Sequence, residues 1–570
     1  MLNQELAQIL SLMADYLDMD EAFFESRAYS KVARVLESME QDVGVIYQKG
    51  GIKAIKQIQG VGQGIAYKIE EYIKTGRVSR LGQLKKKCPV DLENLSRVEG
   101  LGPRKIKILY KKLKIKNLKD LGKAAKAGKV ALLDGFGSQS EQNILGAIKF
   151  VKASNERFPI GEILPLVREI IKELEDLPLG GQISLAGSLR RMKETIKDAD
   201  ILITSNKPEQ VMEHFVKIKG VVKIWAQGKT KSSVRFKKGF DCDLRVVKKK
   251  SFGAALQYFT GSKDHNISTR KIAKKKGLKL NEYGVYKGDR QIAGKTEKQV
   301  YQAIGLPYIE PELRTNSGEI EAGLNNQLPK LIGYDDIKGD VHCHTNWSDG
   351  RESIKSLARA AKKFGYQYLA ITDHAGFLKI AHALDEKQLI KQMSQIDKVN
   401  QKLSGIKLIK GAEVDIRPDG SLAIEDKVLA QLGLVIGAVH SMFKMNRKDM
   451  TQRLIKAMNN PNLNIVAHPT GRVFRKRQGY QLDWPIIFKA AKKTRTALEI
   501  NAHTTRLDLK DIHIRQAIES GVKLVISADV HPISYLSMVE YGIAQARRGW
   551  AESKDILNTR PLKSFLKYFE

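Results

Sequence analysis

Two sets of residues in this chain have the types and spacing to hold cations against phosphate. The first begins in AGSLRRMKETIKDADILIT. Asp198 and Asp200 stand at i and i+2 at the start of a strand-like run, so both carboxylates leave the same face. Asp243 comes from the later strand-like segment GFDCDLRVV, whose other acid, Asp241, is set aside as pointing to the opposite face. Three carboxylates from neighbouring strands can hold two Mg²⁺ ions about 3.5–4 Å apart, an arrangement for in-line phosphoryl transfer. Gly187 and Ser188 end a strand and open a helix, a turn that offers backbone N–H groups to a phosphate, and Arg190 and Arg191 add cationic donors. A DxD alone is usually a solvated strand end. Joined to the Gly-Ser turn and a third aspartate, it reads as a site.

The second set opens at GDVHCHTNWSDG. His342 and His344 share one strand face while Cys343 points away, and Asp349 follows in the turn. His374 lies in ITDHA, Glu413 in GAEVDI, His440 in GAVHS and His468 in VAHPTGR; Asp529 and His531 close the set in ISADVHP. Six of the chain's 11 histidines are in this set. Any one alone would be an ordinary polar loop residue, but each ends or follows a buried-looking apolar run. Imidazole with carboxylate suits Mn²⁺, Fe²⁺ or Zn²⁺, and nine ligands can hold about three ions. Arg472 in HPTGR is a candidate phosphate contact, and His503 in NAHTTR a bystander or substrate contact.

The elements that must position these residues can be read from periodicity. After Asp336 apolar strands (QYLAIT, IKLIKGAEVDI, LGLVIGAVH, LNIVAHP, TALEINA, VKLVISAD) alternate with helical stretches, the signature of an α/β barrel. On such a barrel the strand ends converge on one face, so the nine residues can meet there. From about Phe158 to Leu306 shorter strands alternate with helices, and the polar stretch around residues 315–335 reads as a linker. The first 150 residues are mostly helical and carry a degenerate repeat: IQGVGQGIAYKI, VEGLGPRKIKIL and LDGFGSQSEQNIL. Each is a Gly-apolar-Gly turn opening a helix, starting at Gly60, Gly100 and Gly135. Such a turn can bind a phosphate without reading a base. Gly60, Gly62, Gly100, Gly102 and Lys105 are therefore candidate DNA contacts, while the third copy lacks basic residues just after its glycines.

The global charge points the same way. The chain of 570 residues carries a formal +35. The 38 Lys+Arg and 25 Asp+Glu after position 330 leave +13 there and +22 before it, so both parts are basic and a polyanionic partner is expected. No apolar run approaches the roughly 18 residues of a membrane span. Three scattered cysteines, Cys88, Cys242 and Cys343, argue for a reducing cytoplasm and against a disulfide framework.

Three of these motifs carry a family resemblance. GS with DAD and DCD resembles the nucleotidyltransferase superfamily. ALQYFTGSKDHNISTR closely resembles the nucleotide-binding motif of family X DNA polymerases. The barrel segment resembles the polymerase-and-histidinol-phosphatase (PHP) domain, and the glycine repeats resemble helix-hairpin-helix motifs. The resemblance implies a multidomain α+β and α/β chain. Residues 1–90 would be a lyase-like helical domain, 91–155 fingers, 156–250 a palm, 251–314 a thumb, 315–335 a linker and 336–570 a distorted (β/α)7 PHP barrel. It implies that Tyr258 and Phe259 line the sugar and base, that Gly261 lets backbone approach, and that Asn266 meets the minor-groove edge. Lys263 stands where some relatives carry an acid. Ser188, Arg190 and Arg191, with help from Arg157, would hold the triphosphate, and Lys68 falls where lyase-competent relatives carry a Schiff-base lysine. The activity implied is template-directed filling of short gaps in DNA repair with dNTPs, by a monomer. It is joined to Mn²⁺- or Zn²⁺-dependent 3′–5′ exonuclease action at the PHP centre, and to abasic-site endonuclease action as a second use of the same metals. A template-independent nucleotidyltransferase, and a PHP domain serving as a small-molecule phosphatase or structural support, are the alternatives.

Overall fold

The computed structural model describes residues 2–39, 43–96, 98, 101–138, 140–142, 144–145, 157–178 and 181–570. The chain divides into two compact units, Met1–Glu156 and Arg157–Glu570.

The first unit is helical. Leu6, Leu10, Met13 and Leu17 recur at helical spacing along Leu2–Met19 and are buried, giving that helix one apolar stripe. They share a core with Val32, Leu36, Ile65, Ile69, Leu95, Ile106 and Leu109. That core runs across the boundary expected at residue 90, so the described residues on either side of it pack together. Gly60, at φ +85°, makes the left-handed turn before the helix Gln63–Thr75. Gly62 and Gly102 occupy the N-cap positions of Gln63–Thr75 and Pro103–Leu113, where no side chain caps the first-turn N–H groups. Gly100 lies outside the described residues.

In the second unit a five-stranded sheet has the spatial order Ile183–Leu185, Asp198–Thr204, Asp241–Val247, Lys231–Phe236, Val221–Gln227. The two aspartate-bearing strands are parallel neighbours, with Asp198 opposite Asp241 and Asp200 opposite Asp243. Helix Ile160–Glu175 packs on this sheet through Ile163, Leu164, Val167 and Leu174. Helices Phe252–Thr260 and Lys263–Lys275 follow, with the small antiparallel sheet of residues 279–293.

The stretch read as a linker, residues 315–335, is instead built into this second body. Glu319 is fully buried and accepts from His265 at 2.7 Å. Just upstream, the buried Arg314 donates to Glu297 at 2.6 Å. Ile320, Leu328 and Leu331 add apolar contacts to the same core. Of the polar residues that suggested a solvated linker, Glu319 is spent on a buried pair, while Glu321, Asn325, Asn326, Gln327 and Lys330 remain exposed.

Seven parallel strands then follow one another in chain order: Gly339–Asp340, Tyr368–Ile371, Lys407–Asp415, Leu434–Ala438, Ile465–Val466, Ala497–Asn501 and Leu524–Ser527. His374–Ala375 pairs beside the third. The ring nearly closes through a parallel bridge between Cys343 and Val530, in which the Val530 N–H donates to the His342 carbonyl and the His344 N–H to the Val530 carbonyl. Closure is therefore made by the histidine segment itself.

Candidate active sites

The palm-like site is an open group of acids with cations beside it. Asp200 is the most buried of the three aspartates. Burial, with repulsion from Asp198 and Asp243, pushes its carboxyl up to about 6. Lys231 Nζ stands 3.4 Å from Asp243, and Arg245 Nη2 3.8 Å from it. Gly187 has φ +61°, and a Cβ there would fall 2.2 Å from Asp200 Oδ2, so the turn and the carboxylate are mutually fitted only with glycine.

Asp241 alternates with buried Cys242, and so leaves the same face as Asp243, not the opposite one as expected. What removes it from the site is Arg235, whose Nε and Nη2 take both its oxygens at 2.7 and 2.8 Å, together with Trp225 Nε1 at 2.9 Å.

The two adjacent arginines part company. Arg190 is spent on Glu297 and on Thr260 Oγ1, with its guanidinium gripping both Glu297 oxygens at 2.9 and 2.5 Å. The structure thus ties Arg190 to the thumb rather than leaving it free for a triphosphate. Arg191 donates to the Thr260 carbonyl beside Gly261. Burial and repulsion from Arg548 pull its pKa down to about 10. Ser188 lies in the short helix Gly187–Arg190. Arg157 is held by Thr195 at its hydroxyl and carbonyl. Tyr258 and Phe259 meet edge to face at 5.0 Å, with Arg245 over the Phe259 ring. Asn266 is locked between Gln257 and the Tyr258 carbonyl, and Lys263 is exposed at the start of its helix.

Across the barrel, all nine expected residues come together. His344, Asp349, His374 and His531 form one group that could hold an ion, His342, His344 and Asp529 a second, and His374, Glu413 and His440 a third. His468 joins through Glu413, at 2.9 Å. Burial opposes charge on His440, but Glu413 and Asp415 outweigh it and lift its pKa to about 9. His531 is lifted to about 9 in the same way, burial being outweighed by Asp349 and Asp529. His344 goes the other way, to about 3, because burial and two neighbouring histidines disfavour its proton.

Among the described residues, four buried atoms here have no hydrogen-bond partner: His342 Nε2, both His344 ring nitrogens and His468 Nδ1; His374 Nδ1 and Glu413 Oε2 make no well-directed hydrogen bond but lie 2.8 Å apart. Leaving one such group unsatisfied costs about 1–3 kcal/mol. So many lone pairs converging in one pocket fit a set of divalent cations.

Residues not singled out in the sequence orient these ligands. Glu499, fully buried, accepts His342 Nδ1 at 2.6 Å, the His468 N–H at 2.5 Å and Ser527 Oγ at 2.5 Å. Asp415 accepts His440 Nδ1 at 2.7 Å and the N–H groups of Phe377 and Leu378. Such partners fix which ring nitrogen faces the metal. The sequence hints at each only through a carboxylate inside an apolar strand run, ALEIN and GAEVDI, which does not by itself distinguish a brace from an ordinary core residue. Arg506 was also missed; it reaches to 3.6 Å from Asp529. Arg472, by contrast, finds its partners away from the ligand cluster: Nη2 goes to Glu194 and to the Leu507 carbonyl, and its guanidinium lies over Phe474. His503 bonds Thr505 Oγ1 at 2.8 Å and meets Tyr535 edge-on.

Comparison with known proteins follows this geometry. Three family models match: Helix-hairpin-helix domain over residues 1–78, DNA polymerase beta thumb over 255–315, and PHP domain over 340–503. A DNA polymerase/3′-5′ exonuclease PolX of Bacillus subtilis (strain 168) is 39% identical over 575 residues, covering 99% of each chain. The chain belongs to the PolX family of DNA polymerases. Two further relatives match part of it. DNA polymerase lambda of Rattus norvegicus is 25% identical over 350 residues, 55% of this chain and 56% of its own. A probable phosphatase of Thermoanaerobacter sp. (strain X514) is 27% identical over 241 residues, 40% of this chain and 94% of its own. A polymerase thumb model and a PHP model thus match successive parts of one polypeptide. Among the described residues no helix is long and apolar enough to cross a membrane.

Proposed function

We propose that this chain extends a DNA primer strand at the palm aspartates and removes nucleotides from 3′ ends at the barrel centre, so that it trims and then fills short gaps in repair. The observation that carries this reading is the presence of two complete, separately built ligand sets in a chain similar along its whole length to a DNA polymerase/3′-5′ exonuclease. Asp198, Asp200 and Asp243 would hold two Mg²⁺ ions, and the barrel set about three Mn²⁺ or Zn²⁺ ions. When bound, such ions lower the pKa of a ligated hydroxyl or water and draw charge from a phosphate.

The chain's own residues do the rest. In extension the primer 3′-oxygen bonds to the α-phosphorus of a dNTP while the bond to the leaving pyrophosphate breaks. The turn at Gly187 and Ser188 offers N–H groups to the triphosphate, and Arg191 and Arg157 offer its cations. Arg190 serves this indirectly, tying the turn to Glu297 of the thumb. Tyr258, Phe259 and Asn266 would shape the sugar and base pocket. In trimming, Glu499 and Asp415 orient the ring nitrogens, and Arg506 stands where a scissile phosphate needs a cation. The turns at Gly60, Gly62 and Gly102, with Lys105, suit duplex phosphates without sequence readout. Lys68 donates to the Gly64 carbonyl on its own helix, partly exposed, which suits a further phosphate contact alongside a lyase role.

Gapped duplex labelled at the primer 5′ end, incubated with Mn²⁺ with and without dNTPs, tests the reading. Asp198→Ala/Asp200→Ala should lose extension and keep trimming; His342→Ala/His344→Ala should do the reverse. Trimming at wild-type rate by the second variant would remove the exonuclease from the barrel and leave it to a small-phosphoester or structural role.

A further inference from the structure

A cavity of about 670 Å³ opens where the barrel meets the palm, away from the ligand cluster. Arg472, Arg475, Lys476, Arg477 and Lys510 line it, and among the described residues Glu194 is the only acid on its wall. Trp484 and His513 are stacked at 4.1 Å on the same wall. Arg472 is 5% exposed, and its Nε and Nη1 have no hydrogen-bond partner, nor does the hydroxyl of Thr470 or of Tyr480 beside it. A buried guanidinium with two donors unsatisfied is costly unless an acceptor completes it. Cations grouped around an aromatic face are the components of a single-strand nucleic-acid site, where the rings stack bases and the cations follow phosphates.

The cavity is tied to the barrel centre through its wall. Its lining loop starts two residues after His468, and the Gly471 N–H donates to the His468 carbonyl at 2.8 Å. Arg477 Nε holds the Gly471 carbonyl at 2.7 Å. Arg506, 3.6 Å from Asp529, is close enough to Arg477 and Tyr480 to perturb both electrostatically, so a line of cations runs from the ligand cluster to the cavity.

We propose that this cavity binds one or two nucleotides of a single DNA strand, those just upstream of the 3′ end held at the barrel centre. The proposal rests on reading that centre as the trimming site. The strand's phosphates meet Arg472, Arg475 and Lys476, and one base packs against the exposed rim of the stacked Trp484–His513 pair. Glu194 places the palm at the edge of this path, so the strand leaving the barrel runs toward the polymerase half of the same body.

An octanucleotide carrying 4-thiothymidine two positions from its 3′ end, irradiated with the full-length chain in chelator, reads occupancy without catalysis. Cross-links should map to peptides covering 472–484 or 510–513, and should be lost in Arg475→Gln/Lys476→Gln and in Trp484→Ala. With two phosphate contacts removed, the salt dependence of the trimming KM should fall by about 1.4 in log–log slope, about 0.7 per contact on a single strand. KM should rise several-fold with kcat unchanged. Cross-links confined to other parts of the chain, or wild-type KM in both variants, would overturn the proposal. So would displacement of the cross-link by a deoxynucleoside monophosphate but not by unlabelled octanucleotide, which would make this a mononucleotide pocket. If the cross-links map as expected but His342→Ala/His344→Ala still trims, the strand path survives and the assignment of trimming to the barrel fails.

Discussion

The palm and the barrel use opposite solutions to the same problem of holding cations near phosphate. In the palm three aspartates sit on one open sheet face, with Lys231 and Arg245 close enough to offset part of their charge. In the barrel, histidines and carboxylates are mostly buried, and among the described residues four of their atoms lack hydrogen-bond partners. A site that can be solvated or neutralised by its own lysine tolerates losing its ions. A buried set of convergent lone pairs does not. The difference predicts that ions bound at the barrel would be held more tightly than ions at the palm and would stabilise the fold.

The sharpest way to break this comparison is chelation. EDTA should lower the melting temperature of the wild-type chain, because an ion at about 100 times its dissociation constant contributes about 2.7 kcal/mol to the folded state. Asp198→Ala/Asp200→Ala should show the same shift, and His342→Ala/His344→Ala almost none. Equal shifts in both variants would remove the contrast. Next in size is Glu499→Gln. It keeps the shape but weakens the acceptor for His342 Nδ1, so barrel metal affinity or trimming should drop about 10–100-fold. Primer extension should be unchanged. Gly187→Ala probes the palm in the same manner. A methyl group cannot coexist with Asp200 Oδ2 as placed, and the left-handed backbone alone costs about 1–2 kcal/mol. Extension should fall while trimming and the chelation shift persist.

The smallest expected effect lies outside both sites. Burial lowers the pKa of His265 below its ordinary value. For Glu319, burial opposes ionisation, but the hydrogen bond from His265 outweighs it and lowers the pKa. Both groups thus favour the deprotonated state in the fold. For His265 the stabilisation is complete above its unfolded value near 6.5 and is lost as the pH falls below it; for Glu319 the loss sets in only below its own unfolded value near 4.5. His265→Gln should therefore close its stability deficit relative to wild type between pH 7.5 and 5.5, read by thermal melts. A constant gap would show that His265 does not titrate differently in the two states.

Much of the barrel was legible because most of its ligands obey a rule that sequence displays: they end or follow an apolar run, and parallel strands bring their ends to one face. The palm aspartates were legible for a similar reason, as i and i+2 on a strand. Glu499 was not, since one carboxylate inside ALEIN looks the same whether it is a strained core residue or the brace of two histidines. The pair Arg190 and Arg191 could not be divided from the dipeptide alone. The division depends on Glu297, more than a hundred residues later, reaching one guanidinium and not the other.

Residue types and their periodicity by themselves determined the basic character of both parts, the turn glycines, the two ligand sets and the order of helices and strands, because those follow from local backbone preference and burial. Tertiary structure alone decided which polar groups find each other. It turned an apparent linker into part of a core through Glu319, Ile320 and Leu331, and occupied Asp241 with Arg235. It also moved Arg472 from the metal centre to the wall of a basic cavity facing Glu194. Ion pairs and hydrogen bonds act over a few ångströms in space, and no spacing along the chain encodes which distant partner will arrive.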